Sequence, residues 1–148
     1  MGATGINHVG LTVTSVARSL RFYCDVVGFE QVSRHEVAGD WFDTLTRNEG
    51  ARLDVAMVAL GGLVLQLVEY TAAGGAALSL AHHHVGNPHL SVDVDDLDTR
   101  HAALAQVPEL GVTPIVDIMG SGIRSFYVHD PDGVPVEFIQ MPPRSRGY

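Results

Sequence analysis

The sequence contains a single cysteine, few basic residues and no long apolar run. Cys24 has no partner within the chain, so the fold cannot depend on an intrachain disulfide bond. The nine basic residues are scattered and the net charge is -8, which argues against nucleic-acid binding. No stretch approaches the roughly 20 apolar residues of a membrane span, and the first residues lack a signal pattern. We therefore expect a cytoplasmic protein whose partner is a small molecule.

The chain repeats one short pattern, because INHVGLTV at residues 6–13 is similar to NPHLSVDV at residues 87–94. Side chains alternate between the two faces of a strand. Each octapeptide then places its histidine, His8 or His89, on a face with small or polar residues and leaves the other face apolar. Hydrophobic residues make up 46% of the 148 residues, which is enough to form the core of one domain built from two such half-size modules.

Each octapeptide begins the same predicted order of a strand, a helix and three further strands. In the first module, Thr14 or Ser15 is placed to cap a helix over residues 16–28 that ends at Gly28. Asp95 or Asp96 takes the capping position in the second. The predicted boundaries are a first module at about residues 5–70, a Gly/Ala-rich linker at about 71–86, a second module at about 87–141 and a surface tail at 142–148.

Three further stretches have predicted structures of different kinds. Residues 36–50 show no clear period and are predicted to form a loop or lid, or else a satellite of the core. This stretch carries Trp41 and Phe42, which are candidates for a hydrophobic wall over a substrate, with core packing as the equal alternative. Residues 112–119, VTPIVDIM, are predicted to be a strand, and DPDG at 130–133 a tight turn.

Four polar residues occupy matching positions of the two modules. His8 and His89 are 81 residues apart, and Gln66 and Glu137, 71 residues apart, interrupt the otherwise apolar final strands. Two imidazoles and two side-chain oxygens suit a divalent ion such as Co, Ni, Mn, Fe or Zn. Hydrogen bonds from histidine to an acid or amide across a symmetric core are the alternative. Glu69 is a rival to Gln66, but at a spacing of three it points to the opposite face of a strand.

Several motifs together carry a resemblance to a known family. The segments INHVGLTV, RSLRFYCDVVGF, LQLVEY, PHLSVDVDDLD and DPDGVPVEFIQ resemble the vicinal oxygen chelate superfamily, which includes glyoxalase I, methylmalonyl-CoA epimerase, extradiol dioxygenases and bleomycin-resistance proteins. The resemblance implies an α+β fold of two βαβββ modules whose curved sheets form a cup around a metal. It also implies His8, Gln66, His89 and Glu137 as the metal ligands, and a homodimer.

The resemblance implies removal of a proton next to a carbonyl group, with the metal polarising the substrate oxygen. Glutamine in the first module with glutamate in the second is similar to methylmalonyl-CoA epimerase, whereas glyoxalase I more often has two glutamates. We therefore expect a metal-dependent epimerase or isomerase acting on a small carboxylic acid or acyl thioester. Glu137 is the expected base, because an amide at Gln66 cannot take a proton. Asp43 and Glu49 are candidates for the second acid that inversion needs.

Three alternatives remain open from the sequence. The first is a glyoxalase I-type lyase, and the second is an extradiol-type dioxygenase, for which Gln66 would have to stand off the metal. The third is a non-catalytic protein that binds small molecules or antibiotics. The tract His82-His83-His84 invites a second-metal interpretation, which is not favoured because the Gly/Ala-rich linker offers no adjacent acidic or cysteine partner.

Overall fold

The protein is described by a computed structural model that covers residues 2–143. The chain divides into two compact units, the first ending at Ala77 and the second beginning at Leu78. The predicted linker at 71–86 is therefore shared between the two units. Of the predicted tail at 142–148, the last five residues lie outside the described part of the chain. No helix within residues 2–143 is both long and apolar enough to cross a membrane.

The first unit is a four-stranded sheet flanked by helices. Its strands lie in the order β1-β4-β3-β2; β1 is parallel to β4 and the other neighbours are antiparallel. The elements are β1 (Val9–Thr12), α1 (Val16–Leu20), a π-helical continuation (Arg21–Val27), β2 (Glu30–Ala38), α2 (Asp40–Thr46), β3 (Arg52–Leu60) and β4 (Leu63–Ala72).

The first helix begins and ends where the sequence predicts. The Ser15 hydroxyl accepts a hydrogen bond from the Arg18 N–H at 3.3 Å, which caps α1. Gly28 follows the π-helical segment with φ 106°, a left-handed conformation that glycine adopts without steric cost. Val16 and Tyr23 are fully buried, so one stripe of this helix contributes to the core of the unit.

The prediction of a loop at residues 36–50 is wrong, because β2 continues to Ala38 and α2 occupies Asp40–Thr46. Gly39 separates the two elements with φ 119°. Asp40 and Asp43 lie in the first turn of α2, where a negative charge interacts favourably with the helix dipole and stabilises the helix. No residue of α2 is buried, and the three apolar residues of this seven-residue helix, Trp41, Phe42 and Leu45, are too few to define a helical period in the sequence.

The second unit repeats the topology of the first, with strand order β5-β8-β7-β6 and β5 parallel to β8. The α+β fold of two βαβββ modules is thus confirmed, with α2 as an addition to the first. The elements are β5 (Leu90–Asp93), α3 (Leu97–Leu104), a 3-10 turn (Pro108–Leu110), β6 (Val116–Asp117), a 3-10 turn (Ile118–Gly120), β7 (Arg124–His129) and β8 (Pro135–Gln140).

The strand predicted over residues 112–119 is much shorter than expected. Only Val116 and Asp117 pair with β7, because the chain then turns at Ile118–Gly120, where Met119 has φ 56°. Met119 is 96% exposed, so its apolar side chain does not belong to a buried strand face. Hydrophobic residues alone therefore gave a misleading strand signal here.

The DPDG turn is held by one buried carboxylate. Asp130 is 4% exposed, and its Oδ1 accepts hydrogen bonds from the N–H groups of Asp132 and Val134, both at 2.8 Å. Gly133 closes the turn with φ 93°. A buried acceptor that satisfies two backbone donors is costly to remove, because those donors would lose their partner. This turn fixes the register of the β7–β8 hairpin.

We predict that Asp130→Ala lowers the free energy of unfolding by about 1–3 kcal/mol, the usual cost of orphaned buried donors. Asp130→Asn retains a side-chain oxygen at the same place and is expected to lose less. Urea unfolding followed by circular dichroism measures both variants. Equal destabilisation by alanine and asparagine would contradict the assignment of the turn to this acceptor.

Candidate functional site

Gln66 defines one face of the sheet of the first unit. Gly10 pairs with Gln66 across β1 and β4, and His8 lies just before β1, where strand alternation extended by one residue would place it on the same side. A Cβ atom built on Gly10 would lie 3.8 Å from Gln66 Oε1, an ordinary van der Waals distance, so this oxygen lies directly beside the glycine. His8 is exposed, and its Nδ1 lies 2.7 Å from Asn7 Oδ1. We call this the site face of the first sheet.

The second unit has the same arrangement with different chemistry. Ser91 pairs with Glu137 across β5 and β8, and the Ser91 hydroxyl donates a hydrogen bond of 2.8 Å to Glu137 Oε2. His89 lies just before β5, and the centroid of its ring is 6.4 Å from that of Tyr127, which pairs with Glu137 across β7 and β8. Glu137 is half-buried and His89 is exposed. The site face of the second sheet therefore carries an imidazole beside an oriented carboxylate.

Glu69, the rival to Gln66, lies on the opposite face of β4. Its Oε2 accepts a hydrogen bond from the Val16 N–H at 2.8 Å, at the first residue of α1. A carboxylate at a helix N-terminus satisfies a free backbone donor and interacts favourably with the helix dipole. Glu69 thus has a structural role on the helix side of the sheet, while Gln66 occupies the site face.

Tyr127 is a site-face residue that the sequence analysis missed. It pairs with Glu137 across β7 and β8. Burial raises the pKa of the Tyr127 phenol, and the charge of Glu137 and a hydrogen bond to its carboxylate raise that pKa further. The DPDG turn could have revealed Tyr127, because the hairpin register that the turn fixes sets this tyrosine opposite Glu137.

His82 is a second residue that the sequence analysis did not assign to the site. Its ring centroid lies 5.5 Å from that of His89 and 5.1 Å from that of Tyr127. These distances fall in the range of favourable ring pairs. His83 and His84 instead contact each other, with centroids 4.5 Å apart. Spacing in a Gly/Ala-rich segment carried no signal that could separate the three histidines.

The other candidates lie on or after α2. Trp41 is 63% exposed and packs edge-to-face with Phe42 at a centroid distance of 5.5 Å. Asp43 Oδ2 accepts a hydrogen bond from the Gly50 N–H at 2.8 Å, so this carboxylate holds the turn between α2 and β3. Glu49 is exposed in the same turn. Their part in substrate binding or proton transfer stays a prediction.

A cavity of about 550 Å³ in the first unit lies along β2 and β3. None of the four predicted metal ligands lines it, and two of its charged groups neutralise each other, since Arg34 Nε donates to Asp54 Oδ1 at 3.0 Å. Arg34 and Asp54 lie on the face of the sheet opposite to Gln66 by strand alternation. We therefore do not place the chemistry in this cavity.

Each module offers one imidazole nitrogen and one side-chain oxygen that suit a divalent ion. These atoms belong to His8 and Gln66 in the first module and to His89 and Glu137 in the second. Imidazole nitrogen and amide or carboxylate oxygen are common ligands of first-row divalent metals. Within residues 2–143, no three His, Cys, Asp or Glu side chains converge in an arrangement able to hold a metal. A set of four ligands drawn from both modules is therefore a prediction.

Comparison with known proteins identifies the family. The family model described as the Glyoxalase/Bleomycin resistance protein/Dioxygenase superfamily matches residues 5–138. The chain belongs to this superfamily. The resemblance to vicinal oxygen chelate proteins that the motifs indicated is thereby confirmed. Members of the superfamily are mostly enzymes, and the superfamily generally depends on metal ions.

Individual members of the superfamily give finer comparisons. The chain is 30% identical over 149 residues to a 2-epi-5-epi-valiolone epimerase from Actinomyces sp., an alignment covering 95% of this chain and 81% of the relative. It is 28% identical over 147 residues to a catechol-2,3-dioxygenase from Bacillus subtilis, covering 96% of this chain but 43% of that enzyme. A glyoxalase family protein from Bacillus cereus shares the fold, with a TM-score of 0.79, 17% identity and 95% coverage of both chains.

The contact between Tyr127 and Glu137 predicts a linked titration. We expect Glu137→Gln to lower the pKa of Tyr127, because the negative charge that raises it is removed. The pKa should nevertheless stay above its ordinary value, since burial is the largest cause of the shift. Ultraviolet titration of tyrosinate measures this, with Tyr127→Phe assigning the signal. An unchanged titration in Glu137→Gln would contradict the contact.

Proposed function

We propose that this protein is a divalent-metal-dependent epimerase or isomerase that removes a proton from the carbon next to a carbonyl group. The observation that carries the proposal is the Glu137 carboxylate, which Ser91 orients on the site face of the second sheet beside His89. The 30% identity to 2-epi-5-epi-valiolone epimerase, over most of both chains, supports the reaction class.

We propose His8, Gln66, His89 and Glu137 as the residues that would hold the ion. When bound, such an ion would polarise the substrate carbonyl and stabilise the negative charge that develops on its oxygen. Gly10 lies beside Gln66 Oε1 and has no side chain that could donate a hydrogen bond to this oxygen. Ser91, in the matching position, instead donates to Glu137.

Glu137 is the proposed base. The hydrogen bond from Ser91 occupies Oε2 and limits rotation of the carboxylate, so the group is held in one orientation toward the site face. Gln66 supplies an oxygen but no base, since an amide does not accept a proton at neutral pH. The two modules therefore contribute one basic side chain between them at these matched positions.

Inversion of a stereocentre needs a second proton donor on the other side of the substrate. Asp43 and Glu49 are the proposed candidates. Asp43 uses one oxygen to hold the Gly50 N–H, which makes it a fixed group rather than a mobile one. A single base without such a partner would still support proton exchange and isomerisation.

The proposed substrate is a small molecule whose acidic C–H bond lies next to a carbonyl. A small carboxylic acid or acyl thioester is the class that the ligand pattern favours, and the epimerase relative adds 2-epi-5-epi-valiolone as a compound to assay. The sequence offers no obvious basic cluster for the phosphates of coenzyme A. This favours substrates without such a group.

We predict that Glu137→Gln abolishes incorporation of solvent deuterium into the substrate while leaving the fold intact. A drop of about 100-fold or more is expected, the lower end of what general-base catalysis contributes. Mass spectrometry of substrate incubated in deuterium oxide measures the exchange. Glu69→Gln is the matched control, because it changes the same residue type on the opposite face of the other final strand. Exchange at the wild-type rate in Glu137→Gln would remove this residue as the base.

A second prediction concerns the ion. Protein purified without an affinity tag should retain one divalent ion per chain, measured by elemental analysis. His8→Ala and His89→Ala should each weaken binding by more than about tenfold, since even the loss of an outer-shell partner costs this much. All variants carry His83→Ala and His84→Ala, so that the tract does not bind metal adventitiously. His35→Ala, an exposed histidine on β2, is the control; equal affinity in all variants would contradict the ligand set.

A dioxygenase is the second candidate function. The alignment with catechol-2,3-dioxygenase covers 96% of this chain and supports it. In that case His8, His89 and Glu137 would form a set of two histidines and one carboxylate, which suits non-haem Fe(II), and Gln66 would stand off the ion. Oxygen uptake with catechol and Fe(II) distinguishes the two functions, because the proposed epimerase consumes no oxygen.

A further inference from the structure

Hydrogen bonds within residues 80–87 hold the segment before β5 in a defined conformation. The N–H of His84 donates to the Ala81 carbonyl at 2.8 Å, and the N–H of Asn87 donates to the His84 carbonyl at 3.2 Å. The Asn87 side chain then donates to the carbonyls of Leu80 and Ala81, at 3.0 and 3.2 Å. One amide group therefore ties both ends of the segment together, and we call this arrangement the Asn87 clamp.

The Asn87 clamp presents one histidine of the tract to the sheet. His82 packs against His89 at 5.5 Å with an interplanar angle of 45°, and against Tyr127 at 5.1 Å with an angle of 75°. The ring centroids of His89 and Tyr127 are 6.4 Å apart, so the three rings form a continuous group on the site face of the second sheet. His83 and His84 contact each other instead.

The geometry points to His82 as a positioning residue for the ion and base, a role that rests on the proposed function. An exposed histidine beside the start of a strand has several rotamers available. A ring packed against the His89 ring restricts these rotamers and so fixes the direction of its nitrogens. The same ring packs against Tyr127, which lies opposite Glu137 across β7 and β8. The segment before β5 thereby preorganises both functional groups of the second module.

The role requires the ring of His82 and not its nitrogens, which separates it from a metal-binding tract. His82→Ala removes the ring, His82→Phe keeps a ring of similar shape without nitrogen, and His83→Ala removes a neighbouring histidine that does not pack on the sheet. We expect His82→Ala to weaken Zn²⁺ binding about 2- to 10-fold, the effect of losing one ring pair. His82→Phe should restore most of the affinity of the proposed site, and His83→Ala, which removes only adventitious binding by the tract, should leave the affinity of that site unchanged. Isothermal titration calorimetry with Zn²⁺ measures all four proteins.

A second variant tests the clamp itself. Asn87→Asp keeps the size of the side chain but removes both amide donors, so it should release the segment and reproduce the affinity of His82→Ala. Equal affinity of Asn87→Asp and wild type would overturn the clamp as the device that places His82. Loss of affinity in His82→Phe equal to that in His82→Ala would overturn ring packing as the cause.

One measurement separates failure of this inference from failure of the proposed function. The NMR signals of the His89 ring in the metal-free protein should shift in His82→Ala and stay unchanged in His83→Ala, because ring currents act over the observed distance. Unchanged His89 signals in His82→Ala overturn the inference even if the protein binds metal and exchanges protons. If the His89 signals shift in His82→Ala but the protein neither binds an ion nor exchanges protons, the ring contact is supported. The proposed function and the positioning role are then both overturned.

Discussion

Each half of the candidate site depends on one backbone constraint, the parallel pairing of the first strand of a module with its last. This pairing sets Gly10 beside Gln66 and Ser91 beside Glu137. A slip of one residue would send Gln66 or Glu137 to the helix side of its sheet and move buried core residues toward the site face. The fully buried leucines on either side of Gln66 therefore help to fix the direction of its side chain. The register that packs the core is the same register that places Gln66 on the site face.

The two modules use this shared frame for different chemistry. Glycine at position 10 has no side chain to offer to Gln66, whereas Ser91 donates a hydrogen bond that orients Glu137. Tyr127 adds a second group beside the carboxylate and has a pKa raised first by burial. The symmetry of the fold supplies matching positions, and only the second module has a carboxylate at its matched position, where the first has the amide of Gln66.

The features that sequence predicts best are those fixed by local chemistry or by the repeat. Ser15 and Gly28 bound the first helix because capping and left-handed geometry favour those residue types. The sequence did not reveal α2 because a helix of seven residues with three apolar side chains is too short to define a period. The strand around Val116 was overestimated because apolar residues also occur in an exposed turn. His82 lies in a segment whose Leu80 and Ala81 carbonyls accept hydrogen bonds from the Asn87 side chain, and these contacts become visible only when the chain is folded.

The span of the strand pairing has a consequence for synthesis of the protein on the ribosome. Ser91 and Glu137 are 46 residues apart in sequence, and the carboxylate obtains its partner only when the last strand of the module has joined the first. Contacts between distant residues form late because their loop-closure entropy must first be overcome. An incomplete nascent module therefore presents the strand that contains Ser91 without the Glu137 carboxylate that Ser91 contacts in the folded module.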